Sequence, residues 1–409
     1  MEKYAVVFAL FILSMITYID RVCISAAKTP IAVEMSLSDS AMGLVFSAFA
    51  LGYALAQIPS GWFADKVGAR SALGVVVGSW SVLTALTGAS WNLTSLVAIR
   101  FLFGVAEAGA FPGSARAIRN WLPTGERGRA NGILFSGSRL GAAVSFPLLA
   151  WMLGRWSWRS SFLILGAAGV CWAVFWLFWF RNHPAAPLPP EDRPLTVDLT
   201  FGQIFRSKVM LLAMTQYFAS NFTFFLCLSW MLPYLRKEYQ LSDSVAAAYA
   251  MAPLLFGATS QWLAGWFVDR IYHSPWRAWS RRLPGMAGFG LGIAGLLGVM
   301  GATTPEIAVI WFTLAVFGAD MTISPSWVFC GDLAGRNAGS VSGAMNMFGN
   351  FGSFVSANAF PYLEQVTGSA SAYFGVAAAL NLVGAICWFQ MRSVDQAVSP
   401  LRQTLEARQ

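Results

Sequence analysis

Charge is missing from long stretches of this chain and crowded into short ones. Of 409 residues, 11% are Asp, Glu, Lys or Arg and 56% are hydrophobic, whereas an ordinary soluble chain carries about 25% charged residues. The apolar stretches are continuous and not alternating, which argues for membrane-crossing helices and against an outer-membrane barrel. Twelve spans are expected, at about 4–26, 40–62, 71–90, 94–114, 130–153, 159–181, 208–234, 244–268, 284–303, 306–329, 339–363 and 369–391. The stretch 182–207 is polar and proline-rich, with Pro184, Pro187, Pro189, Pro190 and Pro194. It reads as a cytoplasmic linker between an N-terminal six-helix bundle (1–181) and a C-terminal one (208–392), followed by a cytoplasmic tail (393–409). The start of the chain could imitate a signal peptide, but no convincing small-residue cleavage site follows, so the first run is taken as a retained span.

The net charge of +8 is better explained by the positive-inside rule than by a nucleic-acid partner. Lys66 and Arg70, then Arg116, Arg119, Arg127 and Arg129, then Arg270, Arg277, Arg281 and Arg282 fall in alternate loops. Those loops, and both termini, are expected to be cytoplasmic. The five cysteines, Cys23, Cys171, Cys227, Cys330 and Cys387, lie in or beside apolar runs with no C-x-x-C spacing. They read as small buried hydrophobes, without disulfides or metal. His183 and His273 sit in loops, so a proton relay within the membrane must use carboxylates.

The two halves repeat. Gln57-Ile-Pro-Ser-Gly61-Trp62-Phe63-Ala-Asp65-Lys66 matches Gln261-Trp-Leu-Ala-Gly265-Trp266-Phe267-Val-Asp269-Arg270 at an offset of 261 − 57 = 204 residues. A weaker echo relates Phe146-Pro147 to Phe360-Pro361. Same-orientation repeats of six spans imply two bundles around an axis along the membrane normal, with a substrate site between them.

Inside the fourth run, Arg100 and Glu107 interrupt an otherwise apolar sequence. Each such charge costs roughly 2.5–3.5 kcal/mol at a bilayer centre on insertion scales. Seven residues is about two helical turns, so both lie on one face, about 10 Å apart along the axis. That face must line a protein interior or a watery cavity; a helix-locking ion pair is the plainer alternative. Arg139 in the fifth span and Asp320 in the tenth are further charges at membrane depth. Arg139 either binds a second acidic group of a substrate or pairs with Asp320, and the sequence weighs the two evenly. Asn346 and Asn350 share a face of the eleventh span. Tyr53, Ser138, Gln216, Asn221 and Trp327 are weaker cavity candidates.

Gly61-Trp-Phe-Ala-Asp65-Lys66-Val-Gly68-Ala-Arg70 resembles the loop motif between spans two and three of the major facilitator superfamily. The resemblance implies an all-α integral membrane fold of twelve helices in two pseudo-symmetric six-helix bundles. It also implies a conformational latch formed by Gly61, Asp65, Gly68 and Arg70, with Asp269 in the second copy. A narrower resemblance covers nearly the whole chain. Tyr18-Ile-Asp20-Arg21, Phe46-Ser-Ala-Phe49, Gln57-Ile-Pro59, Arg100 with Glu107-Ala-Gly-Ala-Phe-Pro112, and Trp121-Leu-Pro123 with Glu126-Arg127 are similar to the anion:cation symporter family. Its bacterial members carry galactonate, glucarate, hexuronates and aromatic acids.

This resemblance implies proton-coupled import of a small organic anion, a sugar acid before other carboxylates, by alternating access. Arg100 would bind the anion, with Arg21 helping to hold or gate it and Asn346 bonding substrate hydroxyls. Glu107 and Asp20 would take protons. Arg139 and Asp320 depart from the galactonate-type pattern and leave the substrate open. An exporter or drug antiporter of the same fold, or a sensor built on it, are the alternatives. No Walker sequence and no nucleophile–base arrangement appears, so no enzyme activity and no cofactor beyond protons is expected. The expected partners are the organic anion and the bilayer, with the protein a monomer in the bacterial inner membrane.

Overall fold

In the computed structural model, residues 2–185 and 200–391 are described. The expected tail 393–409, and most of the linker 182–207, lie outside them. Among the described residues sixteen α-helices follow one another. They are α1 Glu2–Ala26, α2 Lys28–Glu34, α3 Asp39–Thr87, α4 Leu93–Glu107, α5 Ala110–Trp121, α6 Arg127–Arg155, α7 Trp158–Trp179 and α8 Phe201–Phe205. There follow α9 Lys208–Ser229, α10 Met231–Tyr239, α11 Asp243–Tyr272, α12 Arg282–Met300, α13 Pro305–Met321, α14 Ile323–Leu333, α15 Ala338–Thr367 and α16 Ser371–Gln390. No strand occurs among the described residues.

Eight of the helical stretches are long and apolar enough by themselves to cross a membrane. One of these, Ser40–Thr87, has 48 residues, about 72 Å at 1.5 Å per residue, and therefore supplies two crossings of a core about 30 Å thick. The turn between them is a single residue, Gly68, at φ 82° and ψ 159°. That region favours glycine, and a Cβ there would also overlap the Asn182 side chain. The polar loop expected at 63–70 is thus mostly helix. With α6, α11 and α15, which carry more polar groups, the chain makes twelve crossings, six in each sequence half.

Other boundaries also shift. The fourth span is broken: α4 ends at Glu107, Ala108 and Gly109 intervene, and α5 runs on to Trp121. The tenth is broken likewise at Thr322, between α13 and α14. The stretch expected at 208–234 stops at Ser229, and α10 restarts after Trp230. The end of the linker is helical, because Thr200 and Gln203 form a capping box that starts α8.

The described residues fall into two compact units that do not follow the sequence halves strictly. One holds 2–122, 137–185 and 337–343; the other holds 123–136, 200–336 and 344–391. Each therefore contains the beginning of a helix from the opposite half: α15 starts in the first unit and α6 in the second.

Inside the first unit, α3 and α4 pack backbone to backbone. A methyl group on Gly52 would overlap the Phe101 carbonyl oxygen, and one on Gly104 would overlap that of Phe49. Small residues permit such an approach in a membrane helix pair. The contact fixes which residues of α3 face Arg100 and Glu107. Gly104→Ala is expected to destabilise the protein by about 1–3 kcal/mol through overpacking, read as a lower unfolding temperature of the purified protein, whereas Gly43→Ala, with open space around it, should not.

Candidate functional site

Asp20, Arg21, Tyr53, Arg100 and Glu107 come together in the first unit. The Nε–H of Arg21, near the end of α1, donates to Glu107 Oε1 at the last residue of α4. Arg21 is also ringed by aromatic faces. Its Cζ lies 4.4 Å from the Tyr53 ring centre, 5.1 Å from Tyr18 and 5.5 Å from Phe49. Each face contributes a cation–π attraction that grows on desolvation. Glu107 therefore pairs with Arg21, 86 residues away in sequence, and not with Arg100 on its own helix.

Arg100 is 2% exposed and makes no hydrogen bond or ion pair among the described residues. Its guanidinium carbon sits 4.4 Å from the Phe103 ring centre and 5.0 Å from Phe49. Phe49 is thus shared by both guanidinium groups. Asp20, buried at 1%, accepts the Trp80 indole N–H on Oδ2 at 3.0 Å. The second oxygens of both acids, Asp20 Oδ1 and Glu107 Oε2, have no partner, and neither do Arg21 Nη2 and Arg100 Nε. Buried polar atoms left open in this number mark a place where a ligand, water or proton belongs.

Ser138 and Arg139 are buried on α6 in the same unit. Asp320 is buried in the second unit, two residues before the α13–α14 break. Trp327, Asn346 and Asn350 also belong to the second unit. There the Trp327 indole donates to the Tyr217 hydroxyl at 2.8 Å and the ring lies 5.1 Å from Phe135. Asn350 Nδ2 donates to the Asn346 carbonyl at 2.8 Å, and Asn221 Nδ2 to that of Tyr217 at 2.9 Å. Gln216 is taken up in packing bonds to Ser326 and the Trp388 indole.

The repeated motif performs the same task twice. Asp65 accepts the Gly339 and Ser340 backbone N–H groups at 2.8 and 2.7 Å, and the Ser340 hydroxyl at 2.7 Å. Asp269 accepts those of Gly128 and Arg129, both at 2.8 Å. Each carboxylate thus sits on the exposed donors at a helix start, where the dipole favours negative charge. Gly61 packs against Gly339 as Gly265 packs against Gly128. Arg70 instead binds the Leu177 carbonyl through its guanidinium and Asn182 through its backbone N–H, which ties the end of α7 to the Gly68 turn.

Two sequence expectations need correction. Arg127 and Arg281, expected as topology-setting charges in cytoplasmic loops, are 3% and 7% exposed. Both pair with Asp332 at the end of α14, Arg281 at 2.9 Å, because a buried guanidinium needs a counter-charge. Cys171, expected to be buried, is exposed. It shares an apolar groove with Phe8, Phe175 and Trp179, so a membrane helix meets its need for apolar surroundings without burial in protein. The side chain of Cys227 lies outside the described part. Phe49 stands in the sequence only as part of a family motif, and Phe103 and Trp80 are not singled out there, because an aromatic residue in an apolar run carries no sign of what it touches.

Residues 10–357 match the Major Facilitator Superfamily. The chain belongs to this superfamily. It is 34% identical to a probable sulfoacetate transporter of Cupriavidus necator over 96% of this chain and 94% of that one. It is 30% identical to a D-galactonate transporter of Escherichia coli, covering 95% of each. A solved human organic anion transporter superposes with a TM-score of 0.72 at 15% identity, covering 94% of this chain and 99% of that one, which shows the shared fold. The superfamily member is an integral membrane transporter.

Within this transporter, loss of one member of the Arg21–Glu107 pair should cost more than loss of both. Glu107→Ala is expected to destabilise by about 3–5 kcal/mol, while Arg21→Met with Glu107→Leu should recover most of that, since apolar replacement of a buried pair is often neutral. Thermal unfolding of the purified variants measures both.

Proposed function

We propose that this protein imports a small organic anion together with protons, with Arg100 as the anion-binding group. The observation that carries this reading is the buried Arg100 guanidinium, 5.0 Å from the Phe49 ring centre and 4.4 Å from that of Phe103, in no hydrogen bond or ion pair among the described residues and with its Nε left open. A guanidinium stays charged and offers a planar fork that fits a carboxylate or a sulfonate. The sequence relatives named for D-galactonate and sulfoacetate transport support an acidic cargo. A sugar acid remains the first class to test, and a sulfonated acid joins it.

The charges around the site supply the coupling. Asp20, Arg21, Arg100 and Glu107 sum to zero when all are ionised. An arriving monoanion adds one negative charge in a region of low dielectric, where uncompensated charge is costly. A proton on a carboxylate restores the balance. Glu107 is held by Arg21, whereas Asp20 has no cation bonded to it, so Asp20 takes the proton more readily and Glu107 second. Loading both substrate and proton then favours the change of access from one membrane face to the other. Asp65 and Asp269, each bound to a helix start, serve as the latch for that change. The protein works in this reading as a monomer in a bacterial inner membrane with both termini cytoplasmic.

Uptake into proteoliposomes, with and without an imposed pH gradient, tests the proposal across D-galactonate, sulfoacetate, glucarate and an aromatic acid. Gradient-driven accumulation of one of them is expected; the absence of gradient-dependent uptake for every acid would overturn it. Arg100→Ala should weaken binding by about 2–5 kcal/mol, the usual cost of removing one partner of a buried charged contact. Arg100→Lys should restore little of it, because the fork is lost. Titration calorimetry with the transported acid reads both.

Arg139 extends the reading to acids with two charged groups, such as sulfoacetate and glucarate. Arg139→Gln is expected to weaken these at least about tenfold more than monoacids, a difference of about 1.4 kcal/mol. Equal loss for both classes, with recovery in Arg139→Gln/Asp320→Asn, would assign Arg139 to pairing instead.

A further inference from the structure

A groove of about 580 Å³ lies between α1 and α7 in the first unit. Its floor is Ala9 and Trp172, both buried, and the Trp172 indole N–H donates to the Ala9 carbonyl at 3.2 Å. Its rims are exposed rings: Phe8 on α1, and Phe175 stacked on Trp179 on α7 with 5.3 Å between ring centres. The lining runs from Ala5 to Ile12 on α1 and from Cys171 to Trp179 on α7. At 1.5 Å per residue that is about 10 Å and 12 Å of helix. Both helices cross the membrane, so the groove follows the direction of the lipid chains, and its length fits within one leaflet, about 15 Å of hydrocarbon.

The end of the groove at Ala5 and Trp179 is basic. Lys3 stands two residues before Ala5, and Arg181 stands two residues after Trp179. The Arg70 guanidinium donates to the Leu177 carbonyl at 2.8 Å, close to the same end of α7. Glu2 brings an acid to this end, which leaves an excess of positive charge. The groove itself is apolar apart from the Cys171 thiol. In a membrane, a second helix gains from close backbone approach through small residues or from hydrogen bonds across the interface. Here the exposed rings hold a second helix away from the floor, and the indole proton there is already given to Ala9. A flexible hydrocarbon chain fills such a slot without needing either.

We propose that this groove binds an acyl chain of an anionic phospholipid, whose phosphate lies among Lys3, Arg70 and Arg181. The rings hold the chain, and the cations select a negative headgroup, as basic clusters at a membrane surface do. The site lies toward the opposite end of α1 from Asp20 and Arg21 and does not depend on the transport reading.

Native mass spectrometry of the purified full chain tests this, with phosphatidylglycerol and phosphatidylethanolamine of the same acyl chains as probes. The parent should retain one phosphatidylglycerol at least about tenfold better than phosphatidylethanolamine, since several cations act together. Ala5→Trp and, separately, Cys171→Phe bring a ring into the groove from either helix at exposed positions. Each should lower retention about tenfold with an unchanged unfolding temperature in detergent. Lys3→Gln/Arg181→Gln, which leaves Arg70 against Glu2, should bring the two lipids to equal retention. Phosphatidylglycerol with a photoreactive acyl chain should label residues 5–12 or 171–179. Equal retention of both lipids by the parent would overturn the proposal. So would parental retention in either filled variant that unfolds at the parent's temperature, or labelling confined to other helices. A dimer of the parent that both filled variants lose would assign the groove to a second copy and overturn it as well.

Discussion

The Arg21–Glu107 ion pair decides what the rest of the buried charge can do. Four ionisable side chains on α1 and α4 sit at or below 2% exposure or in direct ion contact, in a setting where each unpaired charge costs several kcal/mol. The pair neutralises one charge of each sign and fills the Glu107 carboxylate on one side. What remains is Arg100, a cation in no ion pair among the described residues, and Asp20, whose carboxylate accepts the Trp80 indole N–H. Had Glu107 paired with Arg100, the open cation would be Arg21, which is partly exposed, instead of the buried Arg100. In the proposed function, anion recognition and proton uptake fall to different groups because Arg21 occupies Glu107.

That separation depends on backbone geometry. The approach of α3 to α4 at Gly52 and Gly104 places Phe49 against both guanidinium groups and Tyr53 over Arg21. The break at Ala108 and Gly109 comes directly after Glu107, so this carboxylate ends a helix and does not sit in its middle. Trp80, far along α3 past the Gly68 turn, reaches back to Asp20 on α1. The first unit therefore joins four spans, two of them in α3, around four charges with aromatic rings as spacers.

Much of this was legible in the sequence, for reasons of cost. A charge in an apolar run is expensive and stands out, so Asp20, Arg21, Arg100, Glu107 and Arg139 were all visible as candidates. The repeat at an offset of 204 residues identified Asp65 and Asp269, and both proved to bind helix starts. Pairing was not legible, because Arg21 and Glu107 are 86 residues apart and helical spacing speaks only of residues on one helix. Arg127 and Arg281 looked like loop charges for the same reason, since Asp332 is 205 residues from Arg127. Breaks at Ala108–Gly109 and Thr322 were hidden because nothing in these apolar contexts distinguishes an interrupted span from an intact one. The loop expected between spans two and three vanished because one positive-φ glycine suffices to turn the chain.

The twin motifs bear on how such a chain arises and persists. Asp65 lies in the first sequence half and caps a helix of the second; Asp269 lies in the second and caps a helix of the first. Each half lends an acid and borrows a helix start, as two subunits of a symmetric homodimer do. A six-span chain with one such acid and one such helix start would complete both caps only with a copy of itself, and a covalent link between the copies makes that partner permanent. Neither half is self-sufficient: severed, each keeps a carboxylate with no helix to cap and a helix with no cap. The fusion is held by reciprocity, and mutation of one acid leaves its twin intact, which gives evolution room to make the two caps unequal.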